Sequence, residues 1–544
     1  MPVLDAASSR DVLREMRRER RAWRVADIDW IDALYKAYLT GIVGIVSIAL
    51  LSAWAGGDRV ATSTAQKVAA DGPALLGLLA AVVVTVGLRS GERGGPLAIE
   101  AADVRHVLLA PVRREIALGP IAQRQLRHVA FTGGLVGIVA GQLAFRRLPG
   151  NDIAWIVAGA AFGASLAVGF AGAAMTVSGR HVRRPLGSLV GVALVAWSIV
   201  DVLTDHLTSP LSFFGRLALS PIRFHVVDVV PALALLALAA LGYASIGGTS
   251  LESSERRAAL VGQMRFAVTL QDVRTVLLLR RQLAQELPRS RPWFRVNRGP
   301  AVWVRDWRGV ARWPKGRIAR VVALGAVAGA AARAVWDGTT PLIAVAGLAM
   351  FVAALDAVEP LGQDLDHPDR GSSVPIVAGS LHLRHLSTAF AVTLLTGAVG
   401  LATAVAIGPD RALTAQVGAV TLVVAAGAAV AGAAGSAITS DPASRGEYAA
   451  LLPPEALGSI TAMRLVWPAA VAIAGFVPVV VARAAYTSTN PTAPSPVQAA
   501  TSVGIIVLLV VAFVGAWVRF RDDARKWMSD AFAEAKASTG ASSS

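Results

Sequence analysis

The stretch IVGIVSIALLSAW at residues 42–54 decides the fold class, because it is almost continuously apolar and carries no charged side chain. Similar runs recur along the chain in blocks of about 20 residues, the length of helix that crosses ~30 Å of hydrocarbon. A membrane β-barrel is excluded, since its strands alternate apolar and polar residues and these runs do not. The pattern predicts an all-α membrane protein that spans the bilayer many times.

The overall composition agrees with this interpretation. Of the 544 residues, 54% are hydrophobic and 16% are charged, and the mean hydropathy is +0.56. Soluble domains average about 45–50% apolar and about 25% charged residues. The net charge of +16 would suggest nucleic acid as the partner of a soluble protein. Here the arginine clusters adjoin apolar spans, as in cytoplasmic loops under the positive-inside rule, so the expected partner is the lipid bilayer and no nucleic acid.

Twelve transmembrane helices are predicted. Only nine of the 52 Lys and Arg residues fall in the connections after odd-numbered spans or in the adjoining span ends. The excess of Lys and Arg on the opposite side of the membrane predicts that this side is cytoplasmic and that both termini lie there. The chain is thus expected to be a multi-pass protein of the cell membrane. The predicted spans lie near residues 38–55, 73–88, 128–145, 153–176, 186–204, 226–243, 319–336, 341–358, 386–407, 413–437, 464–483 and 500–519.

The segments outside the spans are rich in basic residues. An arginine-rich amphipathic helix is predicted to lie on the inner leaflet before the first span. A second such elbow helix precedes the seventh span, with Trp303, Trp307 and Val310 on one face as interfacial anchors. The predicted organisation is a basic amphipathic helix at 1–37, a six-helix half at 38–243, a basic cytoplasmic linker with the second elbow at 244–318, a second six-helix half at 319–519, and a cytoplasmic tail at 520–544.

The two halves resemble each other in sequence. A Leu-Arg-His triplet at residues 126–128 recurs at 383–385, and Glu100 has a counterpart in Glu359. These and other landmarks recur at a nearly constant spacing of about 258 residues, which indicates a diverged duplication. Because each half has six spans, the sequence predicts two parallel pseudo-repeats related by an axis along the membrane normal.

Motifs for catalysis and metal binding are lacking. The chain has no cysteine, which excludes disulfides, Cys-ligated zinc and iron–sulfur clusters. It has no GxxxxGK[ST] phosphate-binding loop and no Gly-x-Ser-x-Gly motif. His367, His382 and His385 have no matching carboxylate-rich helix, so they are interpreted as part of a cytoplasmic interface and not as metal ligands. We therefore expect no catalytic residue, metal or cofactor in this chain.

The cytoplasmic segment after the second span reads IEAADVRHVLLAPVRREIALGP, residues 99–120. It resembles the permease subunits of type-2 ABC exporters, in which a Glu lies just beyond the second span and a Leu-Leu-x-x-Pro-Val-x-Arg-like stretch precedes the third. Here the stretch is one residue shorter. The connection between the fifth and sixth spans, SPLSFFGRLALSPIRFHVVD, also fits that family, because Pro210 and Pro221 suit a broken, re-entrant hairpin.

This resemblance implies two fused half-permeases that export a hydrophobic or amphipathic substrate. ATP and Mg would be bound by separate ABC ATPase subunits, as one homodimer or as two different chains. The loop after the eighth span is acidic and lacks the Leu-Leu and Pro-Val pairs, so the two ATPase contacts are expected to be unequal. The candidate coupling residues are Glu100, Asp103, Arg105, Leu108, Leu109, Pro111, Val112, Arg113 and Arg114 in the first loop, and Glu359, Asp364, Asp366 and Asp369 in the second.

Two other functions are compatible with the pattern. A major-facilitator carrier also has parallel six-helix halves and a cytoplasmic central loop, although it keeps a shorter loop between its second and third spans, with a different charge pattern. A non-transporting membrane scaffold would recruit cytoplasmic partners through the basic segments. Co-purification with an ATPase distinguishes the exporter from both, and dependence on a proton gradient identifies the carrier.

Overall fold

The computed structural model describes residues 11–19, 59–91, 95–110 except 96 and 98, 112–269 except 183 and 205, 288–367, 376–439 and 466–541, with single residues at 22, 38, 279 and 369. It contains helices, and no strand occurs within these ranges. The chain divides into two compact units. Unit 1 comprises residues 1–266 and 278–285, and unit 2 comprises residues 267–277 and 286–544. The boundary therefore falls inside the predicted linker at 244–318.

The helices of unit 1 are α1 (Thr62–Gly91), α2 (Ala101–His106), α3 (Arg114–Arg147), α4 (Asp152–Gly179), α5 (Arg184–Thr204), α6 (Pro210–Ala218), α7 (Val230–Ala244) and α8 (Leu251–Thr269). Those of unit 2 are α9 (Ala301–Val310), α10 (Lys315–Trp336), α11 (Leu342–Ala357), α12 (Glu359–Asp366), α13 (Ala378–Ile407), α14 (Arg411–Thr439), α15 (Val466–Tyr486, with a turn at residues 475 and 476) and α16 (Pro496–Ala541). Short 3₁₀ turns occur at Val226–Val229 and Ile246–Gly248.

The prediction of a multi-pass helical membrane protein is confirmed. Among the described residues, ten helices are long and apolar enough to cross a bilayer, and the pair α11 and α12, bent by 53°, makes an eleventh if it is one span. Each predicted span from the second to the twelfth coincides with one of these helices. The first predicted span, near 38–55, lies outside the described residues except for residue 38, so the count of twelve remains a prediction, as does the repeat.

In unit 1, α3 and α4 pack with almost no side chains between them. A Cβ atom added at Gly137 would overlap the carbonyl of Gly159, and one at Gly163 would overlap the carbonyl of Gly133. Glycine at every fourth position allows this approach of two backbones, as in small-xxx-small contacts of membrane helices. These glycines therefore form the contact between two neighbouring spans.

The connection between α5 and α7 is broken, as its two prolines predict. The nine-residue α6 begins at Pro210 and packs on α1, where Gly77 faces the backbone of Ser212. A fully buried carboxylate holds its start, because Asp201 accepts hydrogen bonds from the amides of Thr208 (3.1 Å) and Ser209 (2.8 Å). Asp201 at the end of α5 thus has a local structural role in ordering this turn.

In unit 2, the core lies among α10, α11, α13, α14 and α15 and is built mainly of small and aliphatic side chains. Helix α14 is the most enclosed of the ten spans identified in the described ranges, with 72% of its central window buried. In contrast, α16 exposes Ile505, Ile506, Leu509 and Phe513. Large exposed apolar side chains of this kind are expected where a helix faces lipid.

The two units share some local features. A short helix follows a span in each, α2 after α1 and α12 after α11, and a long helix follows it. The next span begins at a side-chain cap in both units, where Asn151 accepts from the amide of Ile153 (2.8 Å) and Asp410 from that of Leu413 (3.2 Å). These are local correspondences, and the duplication itself remains a prediction.

Candidate functional site

The first predicted docking element comprises residues 100–114 and runs from the connection after α1 to the first residue of α3. Glu100 precedes α2 in extended backbone, with φ −73° and ψ 143°, and its side chain makes no capping hydrogen bond. After α2 the chain turns because the amides of Val107 (2.9 Å) and Leu108 (3.1 Å) both donate to the carbonyl of Asp103. This turn places the Leu-Leu pair directly beyond the short helix.

The two leucines have opposite environments. Leu108 is 8% exposed and packs in a core cluster with Val104, Val107 and Leu118. Leu109 is 65% exposed. The expected apolar face of Leu108, Leu109 and Val112 is therefore divided: Leu108 anchors the element to its own unit, Val112 packs part-buried on the same cluster, and Leu109 extends outward.

The charged residues of this element lie mostly on its outer side. Arg105 is exposed, with its Nε atom 3.9 Å from a carboxylate oxygen of Glu255 on α8. Arg113 is exposed and pairs with Glu115 at 3.1 Å. Such exposed pairs contribute little stability, so both arginines are able to exchange these partners for groups on another protein.

The remaining residues of the element differ in exposure. Arg114 is exposed, and its side chain also donates to the carbonyl of Thr249, at 3.5 Å. Asp103 is part-buried at the start of α2. Pro111 lies outside the described residues. The exposed part of the predicted site is thus narrower than the full sequence motif and centres on Arg105, Leu109, Arg113 and Arg114.

The second predicted element, α12 and the residues after it, is turned largely inward. Leu361 is completely buried and belongs to the core cluster of unit 2. Asp364 is 6% exposed. Glu359 forms an ion pair with Arg317 of α10. Asp366 and Asp369 are exposed, so they are the predicted residues of this element that present their side chains at the surface.

Asp364 belongs to a buried network of ionisable side chains centred on His385. The Nε2 atom of His385 lies 2.8 Å from Asp364 Oδ2, and its Nδ1 atom lies 2.7 Å from Asp306 Oδ2. Arg305 donates to the other oxygen of Asp364 at 2.8 Å. Because His385 and Asp306 are almost fully buried, the centre of this network links α9, α12 and α13 away from solvent, whereas the Arg305 side chain is half-exposed.

The charges of this network affect Asp364 itself, which lies beyond the predicted eighth span. Burial acts to raise the pKa of the Asp364 carboxyl. Hydrogen bonds from Arg305 and His385, together with their positive charges, act in the opposite direction and prevail, so the pKa lies below its usual value of 3.8. Asp364 is therefore an ionised structural partner at neutral pH.

A second group of charges joins α10 to the end of α11. Arg317 donates to the carbonyl of Asp356 at 2.6 Å, and Arg320 binds the Asp356 carboxylate at 2.8 Å. The Arg317 guanidinium also lies over the ring of Trp313, 4.2 Å from its centroid. Together with the pair between Arg317 and Glu359, these contacts fix the bend between α11 and α12.

The sequence interpretation missed these internal roles. Asp306 is the single acidic residue of the basic segment 288–318, and an isolated acid among arginines was a signal that it has a specific partner. His385 was predicted to belong to a cytoplasmic interface, but it lies buried between helices of its own unit, where Asp306 and Asp364 bind its ring. In the described part of the chain, no group of three or more His, Cys, Asp or Glu has an arrangement that fits a metal ion.

Comparisons with known proteins add no identification, since no protein-family model, no curated protein and no solved structure matches this chain.

Proposed function

We propose that the chain is the membrane-spanning permease subunit of an ATP-driven exporter, similar to the type-2 ABC exporters, with Mg-ATP bound by separate ATPase subunits. The observation that carries the proposal is the element at residues 100–114. It has buried anchors on one side and exposes Leu109, Arg105 and Arg113 on the other. An exposed apolar side chain between arginines fits a groove with an acidic rim on a partner protein.

The position of the element supports a coupling role. Leu108 fixes it to a cluster that also contains Leu118 of α3 and Met175 of α4. A displacement of the element by a partner would therefore be transmitted to the ends of two long apolar helices. The chain itself has no phosphate-binding loop, so an ATP-driven cycle requires an ATPase on another chain.

The two elements favour unequal contacts with the ATPase subunits. In α12, Leu361 and Asp364 are engaged inside unit 2, and its exposed charges are acidic. A partner surface at this element would have to be basic, whereas the surface opposite Arg105 and Arg113 would have to be acidic. This supports either two different ATPase chains or a homodimer that binds one element more strongly.

The predicted location is the cell membrane, with both termini cytoplasmic, and the cargo class is hydrophobic or amphipathic. The tally of basic residues supports the orientation, and the apolar character of the spans supports the cargo class. A major-facilitator carrier and a non-transporting scaffold are the alternative functions.

The test is co-purification of the full chain with ATPase subunits from its native host. Leu109→Asp should reduce the retained ATPase by at least about fivefold, as truncation of an interface hot spot costs more than about 1 kcal/mol. Ala259→Asp, an exposed position on α8, is the matched control and should retain it fully. Full retention and full stimulated ATP hydrolysis with Leu109→Asp would refute the assignment.

The alternatives have their own outcomes in reconstituted vesicles. Transport that requires ATP and the partner supports the exporter. Transport by the chain alone that collapses with the proton gradient would establish the carrier, and partner binding without any transport would establish the scaffold.

A further inference from the structure

An apolar cavity lies within unit 2, among α10, α11, α13, α14 and α15. Sites for small ligands are mostly apolar with a few polar groups. Here small residues on several helices leave the space open, including Ala328 of α10, Gly400 of α13 and Ala425 of α14. The cavity is separate from the docking elements described above.

One cation lines this cavity. The Nε atom of Arg333 donates to Asp337 (3.1 Å), its Nη2 atom donates to the same carboxylate, and its Nη1 atom donates to the Thr414 hydroxyl (3.3 Å). A guanidinium has five N–H donors. Two of them therefore have no acceptor within the described residues, although the Arg333 side chain is 8% exposed. Asp337 is 54% exposed and is not part of the cavity wall.

The cavity runs from this charged end towards the middle of the helices. Thr414 and Ala425 both line it, and eleven residues of helix between them correspond to about 16 Å. That depth is about half of the ~30 Å hydrocarbon thickness, or one leaflet. Trp336 and Tyr486 are in ring contact at the charged end, with centroids 5.4 Å apart. Trp and Tyr are enriched at membrane interfaces, so the charged end lies at the level of the lipid headgroups.

We propose that this cavity binds a single-chain anionic amphiphile of the fatty-acid class. The carboxylate would accept hydrogen bonds from the two remaining N–H groups of Arg333, and the chain would occupy the apolar space along α14. A cationic amphiphile would meet the guanidinium unfavourably, and a polar solute would find no partners in the apolar depth. The inference goes beyond the proposed function, because binding requires neither ATP nor an ATPase.

The test uses the full chain, purified in detergent, and a diazirine analogue of palmitic acid as photoactivatable probe. After irradiation, adducts mapped by mass spectrometry should fall on residues 328–336, 397–404 and 414–425. Unlabelled palmitate should remove them, whereas dodecylamine should not. Adducts confined to lipid-facing residues such as 505–513, or adducts that palmitate does not compete, would overturn the proposal.

Four variants test the role of each part. Arg333→Gln should weaken palmitate binding by about tenfold or more, in line with loss of a charge-assisted hydrogen bond. Asp337→Asn should strengthen it, because the guanidinium loses its competing carboxylate. Ala332→Phe should block binding by filling the cavity. Arg411→Gln, an exposed arginine near the same helix ends, is the matched control and should leave binding unchanged.

These outcomes separate a binding role from a structural one. If Arg333 only holds α10 by its pair with Asp337, then Arg333→Gln and Asp337→Asn should lower the thermal midpoint equally and neither should increase binding, which would overturn the proposal. If Arg333→Gln fails to fold, Asp337→Asn and Ala332→Phe still decide the question.

Extraction of lipid from the purified chain distinguishes the source of the bound fatty acid. About one fatty acid per purified chain indicates a resident lipid. A site that is filled only after fatty acid is added indicates a cargo, and either result supports the site.

Discussion

The Nε2 atom of His385 lies 2.8 Å from Oδ2 of Asp364, so the first turns of α13 are joined to a carboxylate on α12. The other ring nitrogen is bound by Asp306 of α9. The buried ring of His385, which lies between two carboxylates, therefore connects three separate segments of unit 2.

Replacement of Asp364 should destabilise unit 2. Asp364→Asn leaves His385 and Arg305 facing a neutral amide, and removal of one member of a buried ion pair costs about 3 kcal/mol. We expect a clear decrease in the thermal midpoint of the purified protein. The control is Asp366→Asn on the same helix, where the side chain is exposed and the effect should stay within about 0.5 kcal/mol. Equal midpoints for the two variants would contradict the network.

The same carboxylate predicts a dependence of stability on pH. Its pKa is lower in the folded protein than the ordinary 3.8, so the unfolded chain binds the proton more readily. The contribution of Asp364 is therefore complete above about pH 4 and is lost as the pH falls towards the folded-state pKa. Thermal midpoints measured from about pH 6 downward should decline less steeply for Asp364→Asn than for the wild type. Parallel curves would show that Asp364 does not titrate in this way.

The contact between α3 and α4 can be tested with two neighbouring glycines. An added Cβ at Gly137 overlaps the backbone of Gly159, whereas one at Gly134 has its nearest neighbour at 3.8 Å. Gly137→Ala should cost about 1–3 kcal/mol through overpacking. Gly134→Ala should be neutral or stabilising by about 0.5–1 kcal/mol, because alanine is the better helix former. The measurement is the thermal midpoint in detergent, and a tolerated Gly137→Ala would exclude the close helix contact.

The division between Leu108 and Leu109 predicts different effects on folding. Leu108→Ala removes buried side-chain atoms and should cost about 2–5 kcal/mol. Leu109→Ala removes an exposed side chain and should leave the thermal midpoint nearly unchanged. Partner affinity should show the reverse order once the stability loss is taken into account. An equal loss of stability in Leu108→Ala and Leu109→Ala would contradict the different burial of the two side chains.

The predicted duplication places the two loop elements on the same side of the membrane. His106 and His367 are both exposed, and the chain has no native cysteine. His106→Cys and His367→Cys should therefore react with an impermeant maleimide from the same side in intact cells and inverted vesicles. Reaction from opposite sides would refute the parallel arrangement of the halves.

The helices that cross the bilayer could be predicted from the sequence because apolar length is a property of consecutive residues. The broken connection at α6 was also predictable, since Pro210 marks its first turn. The environments of Leu108 and Leu109 were not, because they depend on which side of a turn meets Leu118 and Met175. The link between Asp306 and His385 was equally hidden, as it joins residues that come together only when α9 and α13 pack.

The enclosure of α14 has a consequence for how unit 2 meets membranes of different thickness. A helix surrounded by protein gains little free energy when its apolar length matches the thickness of the hydrocarbon. Helices exposed to lipid instead adapt to a mismatch by tilting or by deforming the lipid around them. In this unit, α16 has a row of outward apolar side chains, so it is a helix on which such a mismatch would act. Thinner or thicker bilayers should therefore tilt α16 against an α14 that keeps its position.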